Sequence, residues 1–103
     1  MQAHEKINYV ELPAKDIEAT KKFFTDIFNW SFEDYGPDYA AFSNAGLDGG
    51  FYKADVASSS ANGGALVVFY SKELEVTQEK IAKGGGYRAG YFFISWRQAF
   101  SFY

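Results

Sequence analysis

The chain repeats itself at about half of its length, and this repeat limits the available folds more than any other feature. Lys15 to Thr20 is KDIEAT and Lys72 to Thr77 is KELEVT, so the two copies share Lys, Glu and Thr and differ conservatively elsewhere. Each copy lies between a stretch typical of a strand and a stretch with helical periodicity. The two threonines are 77 − 20 = 57 residues apart. The sequence therefore predicts two related units that each begin with a strand and a helix.

The residues between the two copies predict the rest of one unit. Ile7 to Leu12 alternates apolar and polar residues as a strand does, and Pro13 is expected to end that strand. Asp16 is the expected N-cap of the helix that follows. Three aromatic-rich segments, SFEDYG, DYAAFSN and DGGFYKA, are separated by glycines and predict three strands joined by turns. The pattern is that of a βαβββ unit.

The expected fold class is α+β, with residues 1–103 forming one domain of ordinary size. The first βαβββ unit covers about residues 7–57, and the second covers about residues 65–103. Adding 57 to the last strand of the first unit, 48–53, places its counterpart at 105–110, beyond Tyr103. The second unit is therefore expected to be incomplete by about one strand.

Composition excludes several classes of protein. The formal net charge is −3, and no cluster of Lys and Arg suggests a nucleic-acid surface, so no nucleic-acid partner is expected. The absence of cysteine excludes disulfides and thiolate metal sites. No apolar run is long enough to predict a membrane span, and we expect a cytoplasmic protein without a membrane partner. His4, the single histidine, is expected to be a solvated terminal residue.

Aromatic residues on the predicted strands are the candidate ligand-binding residues. A pocket lined by such rings suits a small apolar or cationic molecule. The alternative, which we favour from the sequence, is that the rings fill the space between sheet and helices. Glu11 is the one candidate catalytic residue, although strand alternation favours an outward, solvated position for it. The candidates for ligand binding are Tyr9, Tyr39, Phe42, Tyr52 and Phe69.

The order of these elements resembles the vicinal oxygen chelate superfamily, which includes glyoxalase I, bleomycin-resistance proteins and extradiol dioxygenases. The segments that carry the resemblance are INYVELPAKDIEATKKFFTDIFNW, DYAAFS, LDGGFY and VVFYSKELEVTQEKIAKGGG. It runs from Ile7 to Gly86 and is greatest to the glyoxalase-like proteins of unassigned activity. The resemblance implies that two βαβββ units, the second incomplete, pack their curved sheets together around a glyoxalase-like cleft.

Catalytic members of that superfamily hold a divalent metal in the cleft, which requires converging nitrogen or carboxylate ligands. The resemblance places Tyr9 where metal-binding relatives have a histidine, seven residues before Asp16. Val67 or a close neighbour stands at the second histidine position, and Gly49 to Phe51 offers no donor on the last strand of the first unit. The final glutamate position falls in the missing strand. We therefore expect no metal and no cofactor.

The C-terminal tail departs from the family pattern. Phe92 to Tyr103 is FFISWRQAFSFY, which shows no match to the last strands of relatives. A back-translation of this tail, shifted by one nucleotide, gives F-S-F-P-G-G-R-R-F-H-F-T, similar to the motif with which relatives continue. We hypothesise that a one-nucleotide insertion or deletion near Gly86 changed the reading frame. The tail is still rich in β-forming residues, so one or two strands are expected in it.

An incomplete second sheet affects both assembly and function. It leaves an aromatic strand edge that favours pairing with another chain, so we expect a homodimer. Exchange of strands between the two chains is one way to form it. The sequence favours a metal-free small-molecule binder with an aromatic cleft. The alternatives are a metal-dependent lyase or dioxygenase of the same superfamily and an inactive, frameshifted remnant.

Overall fold

The computed structural model describes residues 2–55, 67–83, 91–94 and 99–102. The chain divides into two compact units, Met1–Ala57 and Ser58–Tyr103. The predicted α+β class is confirmed, and the described residues of each unit include one helix. The elements are β1 Val10–Ala14, α1 Ile17–Phe28, β2 Ser31–Asp34, β3 Tyr39–Ser43, β4 Gly49–Lys53, β5 Val68–Tyr70, α2 Leu74–Lys83, β6 Tyr91–Ile94 and β7 Ala99–Phe102.

The first unit contains a mixed four-stranded sheet in the order β1-β4-β3-β2. β1 lies parallel to β4, whereas β3 is antiparallel to both of its neighbours. The helix α1 forms the crossover between β1 and the strands that follow, as a parallel pair requires. The three strands predicted after the helix are all present.

β1 differs from its prediction at both ends. It begins at Val10 instead of Ile7, where the N–H of Val10 donates to the carbonyl of Asp48 at 3.2 Å and starts the ladder with β4. It also continues through Pro13, which we expected to end it. Alternate residues of a parallel strand direct their backbone groups to the partner, so Pro13 lies at a position whose nitrogen points away from β4. Proline is tolerated there because β1 is an edge strand of this sheet.

The helix α1 is capped at both ends. Asp16 has an extended backbone, and its carboxylate accepts a hydrogen bond from the N–H of Ala19 at 3.0 Å, which confirms the predicted N-cap. Asn29 adopts the left-handed conformation with φ 60°, and its N–H donates to the carbonyl of Thr25 at 3.0 Å. The side-chain amide of Asn44 donates to the carbonyl of Asn29 at 3.0 Å and ties this helix end to the loop after β3.

Closely packed aromatic rings form the core between α1 and its sheet. Phe24 lies 4.4 Å from Trp30 and 5.6 Å from Phe51, measured between ring centroids. Phe42 lies 4.8 Å from Trp30 and 5.3 Å from Phe51. Trp30, Phe42 and Phe51 are all buried. Each such ring contributes about 1.5–3 kcal/mol through the apolar surface that it removes from water.

The second unit contains an antiparallel three-stranded sheet in the order β5-β7-β6 within the described residues. The tail, for which composition predicts one or two strands, supplies both β6 and β7. α2 begins at Leu74, and α1 begins at Ile17, which preserves the offset of 57 found in the repeat (74 − 17). Among the described residues, no helix is long and apolar enough to cross a membrane.

Candidate functional site

Strand alternation gives the sheet of the first unit two chemically different faces. One face packs under α1 and carries Ala40, Phe42 and Phe51, none of which is more than 6% exposed. The intervening residues point to the opposite face. We call this opposite side the tyrosine face and define it by residues on the strands and directly next to them. These residues are Tyr9, Glu11, Glu33, Tyr35, Tyr39 and Tyr52.

A chain of hydrogen bonds crosses the tyrosine face. The hydroxyl of Tyr39 donates to Oε2 of Glu11 at 2.9 Å. The hydroxyl oxygens of Tyr9 and Tyr39 lie 2.6 Å apart, which is a short hydrogen bond. Tyr39 is half-buried, whereas Tyr9 remains 43% exposed and Glu11 is exposed. The three side chains form a connected polar group that a molecule arriving from solvent can reach.

Tyr39 is held in its neutral, protonated form. Its pKa is raised well above the ordinary value of 10.0, first because burial disfavours the phenolate and then because of the hydrogen bonds to Tyr9 and Glu11. At neutral pH the phenol therefore keeps its proton for the bond to the carboxylate. Tyr39 is a hydrogen-bond donor in this arrangement and not a base.

A second tyrosine–carboxylate pair extends the same face. The pKa of Tyr35 is raised above 10.0 by the charge of Glu33 and, second, by its hydrogen bond with Glu33. The ring of Tyr35 lies 6.3 Å from the ring of Tyr39, measured between centroids. Glu33 and Tyr35 thus continue the tyrosine face from β3 to β2 and add a second carboxylate to it.

Glycine in β4 makes room for the hydrogen-bond chain. Gly50 pairs with Glu11 across the parallel ladder, and the ring of Tyr39 lies over its Cα. A Cβ atom at this position would overlap the hydroxyl of Tyr39. Gly50 is therefore a positioning residue, because it allows the phenol of Tyr39 to cross β4 and reach Glu11 on β1.

The charge of the tyrosine face is negative. Glu11 and Glu33 lie on it, while the remaining strand positions that share it are neutral. Within the described strands of the first unit, no Lys or Arg occupies this face. The neutral positions are Pro13, Ser31, Ala41, Ser43 and Gly50. Aromatic rings and carboxylates together form a surface that attracts cations.

The structure brings some of the candidate residues together and separates others. Tyr9, Glu11 and Tyr39 are hydrogen-bonded, and Tyr52 is the cross-strand partner of Tyr39 on the same face, with 40% of its surface exposed. Phe42 lies in the core beneath α1, on the opposite side of the sheet, and does not join them. The last candidate, Phe69, belongs to the second unit, on β5.

Sequence reasoning missed three contributors to this face. Glu33 and Tyr35 fall in the segment SFEDYG, whose alternation could have placed both of them on the side of Tyr39. Gly50 was treated only as a position without a donor atom. Glycine inside a strand often marks a site where another group approaches the backbone closely, and this is the signal that could have identified it.

The donors on the tyrosine face do not fit the divalent metal that the family resemblance implies. Such a site needs several imidazole, thiolate or carboxylate ligands that converge on one point. Among the residues that the structure describes, no three or more His, Cys, Asp or Glu side chains are grouped in this way. At the hydrogen-bond chain itself, Glu11 is joined by two phenols, and the position of the expected first-strand ligand is Tyr9.

Solved structures show what the chain is similar to. A possible glyoxalase from Bacillus cereus has a TM-score of 0.57 at 19% identity, over 85% of this chain and 77% of that one. A virulence protein from Salmonella typhimurium has a TM-score of 0.55 at 15% identity, over 82% of this chain and 71% of that one. For a glyoxalase/bleomycin resistance protein/dioxygenase from Nocardioides, the TM-score is 0.53 at 14% identity, over 90% and 68%. At such low identities, these likenesses show the fold alone.

Comparison by sequence identifies the family. None of the curated protein sequences matches the chain significantly. The family model of the Glyoxalase/Bleomycin resistance protein/Dioxygenase superfamily matches residues 6–90. This match covers most of the chain, including the strand–Asp–helix opening, the tyrosine face and the second helix. The chain therefore belongs to the glyoxalase/bleomycin resistance protein/dioxygenase superfamily.

Proposed function

We propose that this protein is a metal-free binder of small cationic molecules and that the tyrosine face is its binding surface. The observation that carries the proposal is the hydrogen-bonded group of Tyr9, Tyr39 and Glu11 on the sheet face away from α1. A carboxylate set among tyrosine rings attracts a cation both by charge and by the electron-rich faces of the rings. We place this function in the cytoplasm. Disulfides are rare in that reducing compartment, and a chain without cysteine does not depend on them.

Two features of the first unit support a ligand of this kind. The tyrosine face lacks basic side chains at its described strand positions, so neither carboxylate is neutralised by a cation from the same strands. Tyr9 and Tyr52 are partly open to solvent, with 43% and 40% of their residue surface exposed. An aromatic ring of this kind binds a cation with about 0.5–2 kcal/mol, depending on how far the pair is desolvated.

Calorimetric titration with three ligands of one shape tests the proposal. Benzylammonium is a cation, benzyl alcohol is neutral and benzoate is an anion, while all three carry the same ring. We expect the cation to bind and the anion not to bind. Glu11→Gln is expected to weaken cation binding at least about tenfold, because it removes a charge that contributes roughly 1.5–3 kcal/mol to a charge-assisted hydrogen bond.

A matched variant separates a local charge from the net charge of the chain. Glu18→Gln removes one negative charge from α1, which packs on the other face of the sheet. It is expected to leave cation affinity within about twofold of the wild type, since exposed charges further apart than a Debye length are screened. Equal weakening by the two substitutions would show that the cation responds only to net charge and would contradict a site at Glu11.

The alternative functions make different predictions in the same experiment. A metal-dependent lyase or dioxygenase would retain a stoichiometric divalent metal after purification, which metal analysis detects. An inactive remnant would bind neither metal nor cation, and its melting temperature would not change with any of the three ligands.

We also propose that the protein forms a homodimer, and exchange of strands between the two chains is one way to form it. Support comes from β5, which lies at one end of the described order β5-β7-β6 and carries Val68 with 47% of its surface exposed. Exposed apolar edge strands favour pairing with a second chain. Analytical ultracentrifugation at tens of micromolar is expected to give a dimer, and a monomer at every concentration would refute the proposal.

We further propose that the C-terminal segment is the product of a changed reading frame. The family match ends at residue 90, directly before β6, which agrees with a frame change near Gly86. Nucleotide sequencing of the gene is the test. Codons that do not encode the family motif in the shifted frame would refute the hypothesis.

A further inference from the structure

The hydrogens on the tyrosine face have a defined direction. A phenol has a single O–H hydrogen, and an ionised carboxylate can only accept. Because Tyr39 donates its hydrogen to Glu11, it cannot also donate to Tyr9. The short contact of 2.6 Å between the two phenols therefore requires Tyr9 to be the donor. The result is a one-way relay from Tyr9 to Tyr39 to Glu11.

A second carboxylate, that of Glu33, lies on this face. Glu33 lies close to Tyr35, and its ionised carboxylate can only accept hydrogen bonds. Two phenols of the tyrosine face, those of Tyr9 and Tyr39, spend their hydrogens on neighbouring residues. The atoms left for a ligand at these groups are the oxygen lone pairs of Tyr9, Glu11 and Glu33.

We propose that the tyrosine face selects cations that carry N–H donors, such as primary ammonium or amidinium groups, over cations without a donor, such as quaternary ammonium groups. This inference rests on the proposed cation-binding function and adds the hydrogen-bonding class of the ligand. An aromatic surface alone favours a quaternary ammonium ion, since that ion is weakly hydrated and its attraction to the rings remains. The acceptor-only arrangement at Tyr9 and Glu11 reverses this order, because only an N–H group makes charge-assisted hydrogen bonds with it.

Gly50 is the specificity-determining position in this arrangement. Its effect is indirect, because the relay needs the phenol of Tyr39 to lie over its Cα. Gly50→Ala keeps all phenols and carboxylates in the chain and displaces the hydroxyl of Tyr39 from its place between Tyr9 and Glu11. The selectivity therefore depends on a residue that has no side chain of its own.

Two ligands with the same ring and the same charge test the inference: benzylammonium, with three N–H donors, and benzyltrimethylammonium, with none. We expect calorimetry to show benzylammonium binding at least about tenfold more tightly to the wild type, as a charge-assisted hydrogen bond provides. Tyr39→Phe and Gly50→Ala are each expected to reduce this ratio to within about threefold, with circular dichroism confirming that both variants fold.

The outcomes separate this inference from the proposal beneath it. Equal or tighter binding of benzyltrimethylammonium to the wild type overturns the selectivity but leaves cation binding in place. Failure of both cations to bind overturns the cation-binding function and the selectivity with it. A wild-type ratio that both variants retain overturns the relay as the cause. Tyr70→Phe, which removes a phenol hydroxyl in the second unit, is expected to leave the ratio unchanged.

Discussion

The two units of this chain begin alike and differ in the strand next to the first one. In the order β1-β4-β3-β2, strand β4 lies between β1 and β3 and runs parallel to β1. In the order β5-β7-β6, the tail strand β7 pairs directly with β5 and is antiparallel to it. Removing β4 from the first order leaves β1-β3-β2, which corresponds to β5-β7-β6. The described part of the second sheet therefore matches the first sheet without β4.

This difference locates the candidate site in the first unit. β4 supplies Gly50, over which the phenol of Tyr39 lies, and Tyr52, which pairs with Tyr39. If β4 did not lie between them, β1 and β3 would be adjacent strands. Their side chains could then not meet across a glycine of an intervening strand. The first sheet combines a buried aromatic side with a polar side, and β4 contributes to both.

The largest expected effect comes from the aromatic core of the first unit. Phe51→Ala removes a ring that stacks on Phe24 and packs at a tilt against Phe42, and we expect it to lower the free energy of unfolding by about 3–5 kcal/mol. Urea unfolding followed by tryptophan fluorescence measures the change. Ile7→Ala, at a side chain that is 73% exposed, is the control and should stay within about 0.5 kcal/mol. Similar losses in both variants would show that the aromatic stack does not dominate the stability of this unit.

The two adjacent glycines of β4 provide the next test, because they face opposite sides of the sheet. A Cβ at Gly49 would overlap the backbone carbonyl of Val10 and approach Cζ of Phe42 to 2.6 Å. We expect Gly49→Ala to cost about 1–3 kcal/mol of stability, since the backbone or the core must shift. In Gly50→Ala the obstacle is the end of the Tyr39 side chain, which can rotate away, so the loss should be smaller.

Thermal and urea unfolding of the two glycine variants, measured side by side, compare the core face with the tyrosine face. A larger loss in Gly50→Ala than in Gly49→Ala would contradict the assignment of the two faces. It would show instead that the Tyr39 phenol is fixed as firmly as the core.

The repeat and the periodicity predicted most helices and strands of the first unit, but they did not predict the contacts between the side chains of its site. KDIEAT and KELEVT identified both strand–helix junctions, and Asp16 was recognised as a cap, because these signals are local in sequence. Pro13 was misjudged because tolerance of proline depends on whether the strand lies at a sheet edge, which requires knowing the pairing with β4.

The site depends on register, and register depends on distant residues. Tyr9 and Tyr39 are 30 residues apart, and their contact follows only once β1, β4 and β3 are aligned. The aromatic candidates could not be divided into core and surface from the sequence. Phe42 and Tyr39 lie on the same strand, three residues apart, and therefore face opposite sides of the sheet. Alternation predicts that the two differ, but not which of them lies beneath the helix.

The N-terminal caps of the two helices give a smaller expected difference between the units. Glu73 stands where the repeat places Asp16 (73 − 16 = 57), and its backbone N–H donates to the hydroxyl of Ser71 at 3.1 Å. Asp16→Ala removes a side-chain cap and should lower the free energy of unfolding by about 1 kcal/mol. Glutamate is not among the favoured N-caps, so Glu73→Ala should change the free energy of unfolding by less than about 0.5 kcal/mol. Thermal unfolding measures both, and equal losses would mean that the second helix is capped as the first one is.

The smallest effect concerns pH and arises from the first unit alone. The folded-state pKa of Tyr39 is raised above the ordinary value of 10.0, chiefly by burial, so folding favours the neutral phenol. This contribution to stability is complete below the unfolded pKa and is lost as the pH rises above about 10 toward the folded pKa. Tyr39→Phe cannot ionise and should lose less stability than the wild type between about pH 9 and pH 11. Urea unfolding at several pH values measures the two slopes. The pKa of Tyr35 is also raised, by Glu33, so the variant is expected to keep part of the dependence of stability on pH. Identical slopes in the variant and the wild type would show that the environment of Tyr39 is no different from that in the unfolded chain.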